Sequence, residues 1–413
     1  MASVSASRLF SVEVLGEGEV APSSVGLSST LPERISRLVE AAILDGCTPG
    51  AAVAVLRHGR LVLLRGYGKL SWAPDASAVS ATSTLFDLAS LTKVVAATTV
   101  AMMLEDDGLL DLSRPVALYL PELAQSDSAK AAITVRQLLV HRAGFEAFAP
   151  LYERCRGRDA YLAAIAERPL LHAPETATVY SDWDFILLQL VLERITGMPL
   201  DRLVHERLTL PLGLGDTLYT PSEGERTRVA PTEEVAWRGG LVHGIVHDEN
   251  AMALGGVSGH AGLFSTARDL AVFAQMLLQG GRYDGVRLVQ AATVARWTAR
   301  QSGHSSRALG WDTPSPLSSA GRYFSPRSFG HTGFTGTSIW IDPERQLALI
   351  VLANRVHPTR DNAKMPPLRR ALADAVQEAV EDAPLIDWET RLADDAAEVL
   401  RRQHRSEVTS TLK

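Results

Sequence analysis

The sequence predicts a mixed α/β (α+β) protein. One antiparallel sheet is drawn from both ends of the chain and flanked by terminal helices, and a helical lobe is inserted between its two halves. Three observations predict this. Apolar hairpins lie near both ends of the 413-residue chain, an amphipathic helix accompanies each hairpin, and the long middle section reads mostly as helical and loop segments rich in Gly and Pro.

In chain order, residues 1–30 carry Gly, Ser and Pro and read as a loosely ordered leader. Pro32 opens a helix with Ile35, Leu38, Val39, Ala42 and Ile43 on one stripe. Residues 52–56 and 61–64 are apolar runs around Arg57-His58-Gly59-Arg60, a hairpin signature. Residues 94–104 are apolar nearly all round, the mark of a helix buried in a core. Thr266-Ala267-Arg268-Asp269 reads as a capping box ahead of Leu270, Phe273 and Leu277. Residues 336–341 and 347–352 form the second hairpin, and Leu368, Ala371, Leu372, Ala375 and Val376 stripe the closing helix. The division expected is a sheet lobe of about 31–83 and 321–383, a helical lobe of about 84–320, and a C-terminal helical tail over 384–413. The cleft between the lobes is the default ligand site.

Composition narrows the function classes. Hydrophobic content of 46%, charge of 21% and a net charge of −6 suit a globular protein and give no reason to expect nucleic acid or an anionic membrane as partner. Cys47 and Cys155 are too few for a disulfide framework and read as separate thiols. The first twenty residues hold Glu13, Glu17 and Glu19 with no continuous apolar run, so a cytoplasmic location is expected. The apolar run at 94–104 is too short for a transmembrane segment.

Ser90-Leu91-Thr92-Lys93 is the most pointed motif. Only five of the 41 basic residues are lysine, so arginine serves wherever a charge is all that is needed and a retained lysine points to a need for an amine. An amine can lose its proton and guanidinium cannot. Lys93 follows Ser90 by one helical turn, which puts both side chains on one face at the head of a buried helix. A neutral Lys93 there would take the serine proton and make a nucleophile. Two further motifs follow in order, Tyr180-Ser181-Asp182 and His331-Thr332-Gly333, the latter just before a strand.

On these three motifs, over about residues 30–380, the chain resembles the serine β-lactamase and penicillin-binding-protein superfamily. Within it, the chain is most similar to class C β-lactamases, family VIII carboxylesterases and D-amino-acid peptidases. The segments 134–145 and 259–265 fit the resemblance too. It implies a β-lactamase/transpeptidase-like fold over 31–383 and a serine hydrolase working through an acyl-enzyme. Ser90 is then the nucleophile, and Lys93 is the base or the group that keeps Tyr180 poised as one, since a free tyrosine titrates near ~10. The backbone amides of Ser90 and Phe334 are implied as the oxyanion hole, with Asp182, His331, Thr332 and Gly333 lining the substrate site and Gly333 allowing close approach.

Two positions depart from the lactamase pattern. Asp182 stands where class C enzymes have Asn, and His331 replaces the Lys of Lys-Thr-Gly. A histidine is mostly neutral at pH 7, which favours neutral acyl substrates over those with a carboxylate. The expected activity is therefore hydrolysis of a carboxylic ester. The alternatives are a D-Ala-D-Ala-type peptidase or β-lactamase on the same residues, or a non-enzymatic ligand-binding relative. His243 and His247 have i,i+4 spacing, but Gly244 lies between them and no third ligand is evident. The stretch reads instead as a polar loop near the cleft in which His247, Asp248 or Asn250 shapes the substrate site. No metal and no cofactor are expected, and the partner is a small-molecule acyl substrate.

Overall fold

The computed structural model describes residues 15, 16, 18–126, 128–316 and 318–393. Its main sheet has five strands: β1 (Gly50–Arg57), β2 (Arg60–Gly68), β3 (Phe329–Thr332), β4 (Ser338–Asp342) and β5 (Leu347–Ala353). They lie in the order β3-β4-β5-β1-β2, antiparallel throughout. The pairing of β1 with β5, from Ala51 opposite Ala353 to Arg57 opposite Leu347, joins the two ends of the chain as expected.

Both central strands are buried along their whole length, so each must satisfy two apolar environments at a period of two. Ala51, Val53 and Val55 of β1, with Leu349 and Val351 of β5, face α1 (Leu31–Leu44) and the closing helix α5 (Met365–Glu378). Ala52, Ala54 and Leu56, with Ala348, Ile350 and Leu352, face the helical lobe. That lobe contributes α2 (Thr99–Asp106), α3 (Asp182–Thr196) and α4 (Ala267–Leu278) to the same core.

Five expectations need correction or refinement. The leader is not loose where it is described: Val20 donates to the Leu61 carbonyl, Leu27 bridges to Val380, and Leu15 is buried. Residues 1–14 and 17 lie outside the described residues. Ser90 stands at the head of the helix but is not itself helical; it ends a turn, and the helix starts at Leu91 and is π-helical over Lys93–Thr98. Thr266 accepts from the Asp269 N–H, but the Asp269 carboxylate turns to Thr217 and the Asp216 amide, so the box is half made. His331 and Thr332 precede a strand, β4, but are themselves the last two residues of another, β3. The tail is helical only from Trp388 among the described residues, and 394–413 lie outside them. Cys47 and Cys155 are free, buried thiols. No helix among the described residues is long and apolar enough to cross a membrane.

Ile350 is fully buried at the centre of the sheet, on the face toward the helical lobe. Ile350→Ala is expected to cost about 2–5 kcal/mol through lost burial and the cavity left behind. Urea unfolding should show a lower midpoint at unchanged slope. A loss below about 1 kcal/mol would mean the two faces of the sheet are not packed as described.

Candidate active site

The segment carrying Ser90 is held from three sides. Phe86 and Asp87 pair with Ser265 and Phe264. Asp87 accepts from the amides of Ala89, at 2.8 Å, and His247, at 2.6 Å. Its carbonyl and that of Leu88 accept from the hydroxyls of Thr335 and Thr337, at 2.7 and 2.9 Å. The chain then turns through Ala89 at φ +46°, a strained value for a residue with a Cβ, which lifts Ser90 to the surface of the cleft.

Lys93 is wholly buried beneath Ser90. Its ammonium lies 3.0 Å from Ser90 Oγ, 2.7 Å from Asp182 Oδ1 and 3.2 Å from the His260 carbonyl oxygen. An ammonium has three N–H donors, and all three are engaged. Burial pulls Lys93 toward its neutral form, but the charges of Asp182 and Tyr180 outweigh that and hold its pKa above the ordinary lysine value. Of the two roles left open for Lys93, base or the group that keeps Tyr180 poised as one, these surroundings favour the second.

Tyr180 lies over this ammonium, which is 4.9 Å from its ring centroid. The Arg307 guanidinium is 5.1 Å from the same centroid. Positive charge thus flanks the ring on which negative charge would develop if Tyr180 took a proton. His331 lies 5.8 Å from Tyr180, ring to ring, and its Nδ1 is 2.9 Å from the Thr332 carbonyl oxygen. Burial, reinforced by Arg307 and Lys93, holds its pKa well below the usual histidine value, so His331 is neutral.

A cavity of about 530 Å³ opens beside Ser90, lined among others by Tyr180, His331, Thr332 and Phe334. A smaller chamber of about 310 Å³ shares Ser90, Tyr180 and Phe334 and extends toward Asp182, His247 and Phe148. Phe334 is half exposed, and the Arg355 guanidinium stacks 4.4 Å from its ring while Nε donates to its carbonyl at 2.8 Å. Among the described residues, the N–H groups of Ser90 and Phe334 donate to no protein acceptor, as donors awaiting a substrate oxygen would. Gly333 has another reason than substrate approach. A Cβ there would come within 2.3 Å of the Leu88 carbonyl oxygen, so glycine lets the β3–β4 turn close on the Ser90 segment.

Asn250 is a correction. It is fully buried; its Oδ1 accepts from the Tyr152 amide and the Tyr161 hydroxyl, and Nδ2 donates to Ala149. It braces the scaffold and lines neither chamber. His247 does line the smaller chamber, stacking 5.8 Å from Phe334, with Nε2 2.9 Å from Glu233. His243 bonds instead to the Val229 carbonyl, so the two histidines do not converge. Asp182, Asp248 and His260 bring three donor atoms within 4.8 Å of one another, and the positive charge such a cluster calls for is supplied by Lys93.

Sequence reasoning missed the arginines. Arg307, Arg355 and Arg369 line the larger cavity. Among the described residues, none of the three forms an ion pair with a carboxylate, and Arg369 donates to the carbonyls of Gly333 and Thr337. Nothing in the chain's pattern sets these apart from the other arginines, because only the fold brings them together.

The family model for Beta-lactamase matches residues 35–374. A protein of Salmonella agona (strain SL483), named "Putative D-alanyl-D-alanine carboxypeptidase", is 33% identical over 393 residues, covering 87% of this chain and 90% of that protein. Two solved structures share the fold. A penicillin-binding protein homolog from Caulobacter crescentus has a TM-score of 0.69 at 23% identity, over 86% of this chain and 99% of that one. EstCE1, described as a hydrolase with promiscuous acyltransferase activity, has a TM-score of 0.68 at 22% identity, over 84% of this chain and 98% of that one.

Glu233 gives the site a pH dependence. Burial would raise its pKa, but hydrogen bonds from His247 and Arg360 outweigh burial and lower it from 4.5 to about 2. A depressed carboxylate contributes stability that is complete above its unfolded pKa and lost as pH falls through its folded one. Glu233→Gln should therefore cost about 1–3 kcal/mol at pH 6, and the gap to wild type should narrow by pH 3. Urea midpoints at the two pH values test this; a gap that stays constant would show that Glu233 is not ionised against these partners.

Proposed function

The chain belongs to the β-lactamase family of serine hydrolases, and from that footing we propose that it cleaves the terminal residue from a peptide ending in a free carboxylate, as a D-Ala-D-Ala-type carboxypeptidase does. The observation that carries this reading is Arg307, a cavity-lining guanidinium with no acidic partner among the described residues, beside Tyr180. The ester expectation rested on a neutral His331. His331 is neutral, but the cation missing from that position is supplied by Arg307, from a different segment.

In this reading Ser90 Oγ adds to the scissile carbonyl and its proton passes to the Tyr180 phenolate. The Lys93 ammonium offsets the charge on both oxygens, and the amides of Ser90 and Phe334 hold the carbonyl oxygen as it becomes negative. The bond to the leaving amine breaks, and Tyr180 returns the proton to that nitrogen. Water then adds to the Ser90 ester by the same relay, releasing the acid and restoring the hydroxyl. A carboxylic ester remains the second reading, favoured by the apolar walls that Phe148 and Phe334 give the smaller chamber.

A fluorophosphonate is expected to label Ser90, read by peptide mass, and Ser90→Ala should lose labelling and at least about 10³-fold of turnover. Adduct on another serine would overturn the assignment.

Substrate charge is tested by comparing a peptide ending in D-Ala-D-Ala, its C-terminal amide, p-nitrophenyl acetate and a chromogenic cephalosporin. The free-acid peptide is expected to have the highest kcat/KM. Arg307→Ala should lower that value by about 10–100-fold, the worth of a charge-assisted hydrogen bond, with p-nitrophenyl acetate changed less than about threefold. Equal losses on both would place Arg307's effect on Tyr180 and remove the case for a carboxylate.

A further inference from the structure

Tyr180 lies on no helix or strand; it falls in the last turn of loop before α3 begins at Asp182. A base has to be held to within a fraction of an ångström, so something else must fix it. One residue holds the chain before, at and after it. The His141 carbonyl accepts from the Val179 amide at 2.9 Å, His141 Nδ1 accepts from the Ser181 amide at 3.2 Å, and the imidazole packs against the Tyr180 ring with centroids 4.6 Å apart.

His141 is itself fixed. Its backbone is left-handed, at φ +57°, just after the helical turn Val135–Leu139. Its Nδ1 also lies 2.9 Å from Asp184 Oδ2, on the first turn of α3. Both side chains are almost wholly buried. Burial, with Arg307 and Lys93 nearby, holds His141 well below the usual histidine range, and burial with Asp182 holds Asp184 well above the usual carboxylate range. The pair is then neutral, and the one lone pair of Nδ1 is shared between the Asp184 hydroxyl and the longer bond from the Ser181 N–H. The arrangement leaves His141 Nε2 and Asp184 Oδ1 buried without hydrogen-bond partners, which is costly. Two apolar side chains would fill this space more stably, so packing alone does not account for the pair.

We propose that His141 is a positioning residue for Tyr180, oriented in turn by Asp184. The proposal rests on Tyr180 being the base. His141→Phe keeps a ring against Tyr180 but removes the acceptor for Ser181. His141→Asn loses the ring but supplies a side-chain oxygen and tolerates the left-handed backbone.

The readouts are the rate of fluorophosphonate labelling of Ser90 and the turnover of p-nitrophenyl acetate, in both variants, in Tyr180→Phe and in the Tyr180→Phe/His141→Phe double variant, with Tm alongside. His141→Phe is expected to lower kcat by about 10²-fold, the scale of a slight misplacement, with KM within about threefold of wild type. His141→Asn should recover to within about tenfold. The double variant should be no slower than Tyr180→Phe alone, because a residue acting only through Tyr180 has nothing left to position. Full activity in His141→Phe, or losses that multiply in the double variant, would overturn the proposal. Near-normal rates in Tyr180→Phe would instead overturn the assignment of the base. If His141→Phe does not fold, Asp184→Leu enters the same cycle, with the same non-additivity expected.

Discussion

A buried ammonium cannot leave an N–H without a partner, and the three partners of Lys93 come from three separate parts of the chain. Ser90 Oγ, Asp182 Oδ1 and the His260 carbonyl belong to the turn before the π-helical stretch, the start of α3 and the loop ahead of Leu263. The requirement that this one cation be satisfied therefore sets where those segments meet. Asp248 and Ser258 extend the junction by holding His260 at 2.9 and 2.7 Å, so the loop presents its carbonyl to Lys93 at a fixed point. The nucleophile's surroundings follow from the demands of a single buried charge.

Charge around the site is divided between its two ends. Below the cleft, Lys93 is neutralised by Asp182. Beside it, Arg360 is matched by Glu233 and Glu249, at 2.6 and 2.5 Å. Arg307, Arg355 and Arg369 form no ion pair among the described residues, and although Asp312 and Asp361 also line the larger cavity, its arginines outnumber its carboxylates. Arg355 and Arg369 donate to backbone carbonyls of the β3–β4 turn, which fixes the turn without cancelling their charge. Of the three, only Arg307 has a guanidinium with no backbone carbonyl partner among the described residues.

The parts of this protein that could be read from its sequence are those encoded locally. The two hairpins and both terminal helices announce themselves through periodicity, because one face of each is buried against a neighbour of constant character. Ser90, Lys93 and Tyr180 were found because their spacing is short or their order distinctive. The role of Lys93 stayed open between two readings, since it depends on burial and on Asp182, which is 89 positions away. Asn250 was misassigned because a polar residue in a loop near the cleft looks the same whether it faces a ligand or three backbone and side-chain partners inside. Arg307 was invisible for the opposite reason: in a chain this rich in arginine, no local pattern marks which of them will line the cavity.

The β3–β4 turn reaches back across 248 positions to hold the Asp87 carbonyl through Thr335. A chain emerging from the ribosome thus exposes Ser90 and Lys93 well before the segment carrying Phe334 has been made. At the usual pace of synthesis that interval is on the order of ten to fifty seconds. During it the serine has neither the Phe334 N–H nor the turn that closes over it. The β1–β5 pairing imposes the same delay on the sheet itself, because β1 waits for its central partner until the chain is nearly complete. Assembly of the cleft is thereby tied to completion: a truncated product ending before β3 carries Ser90 but not the turn that packs against it.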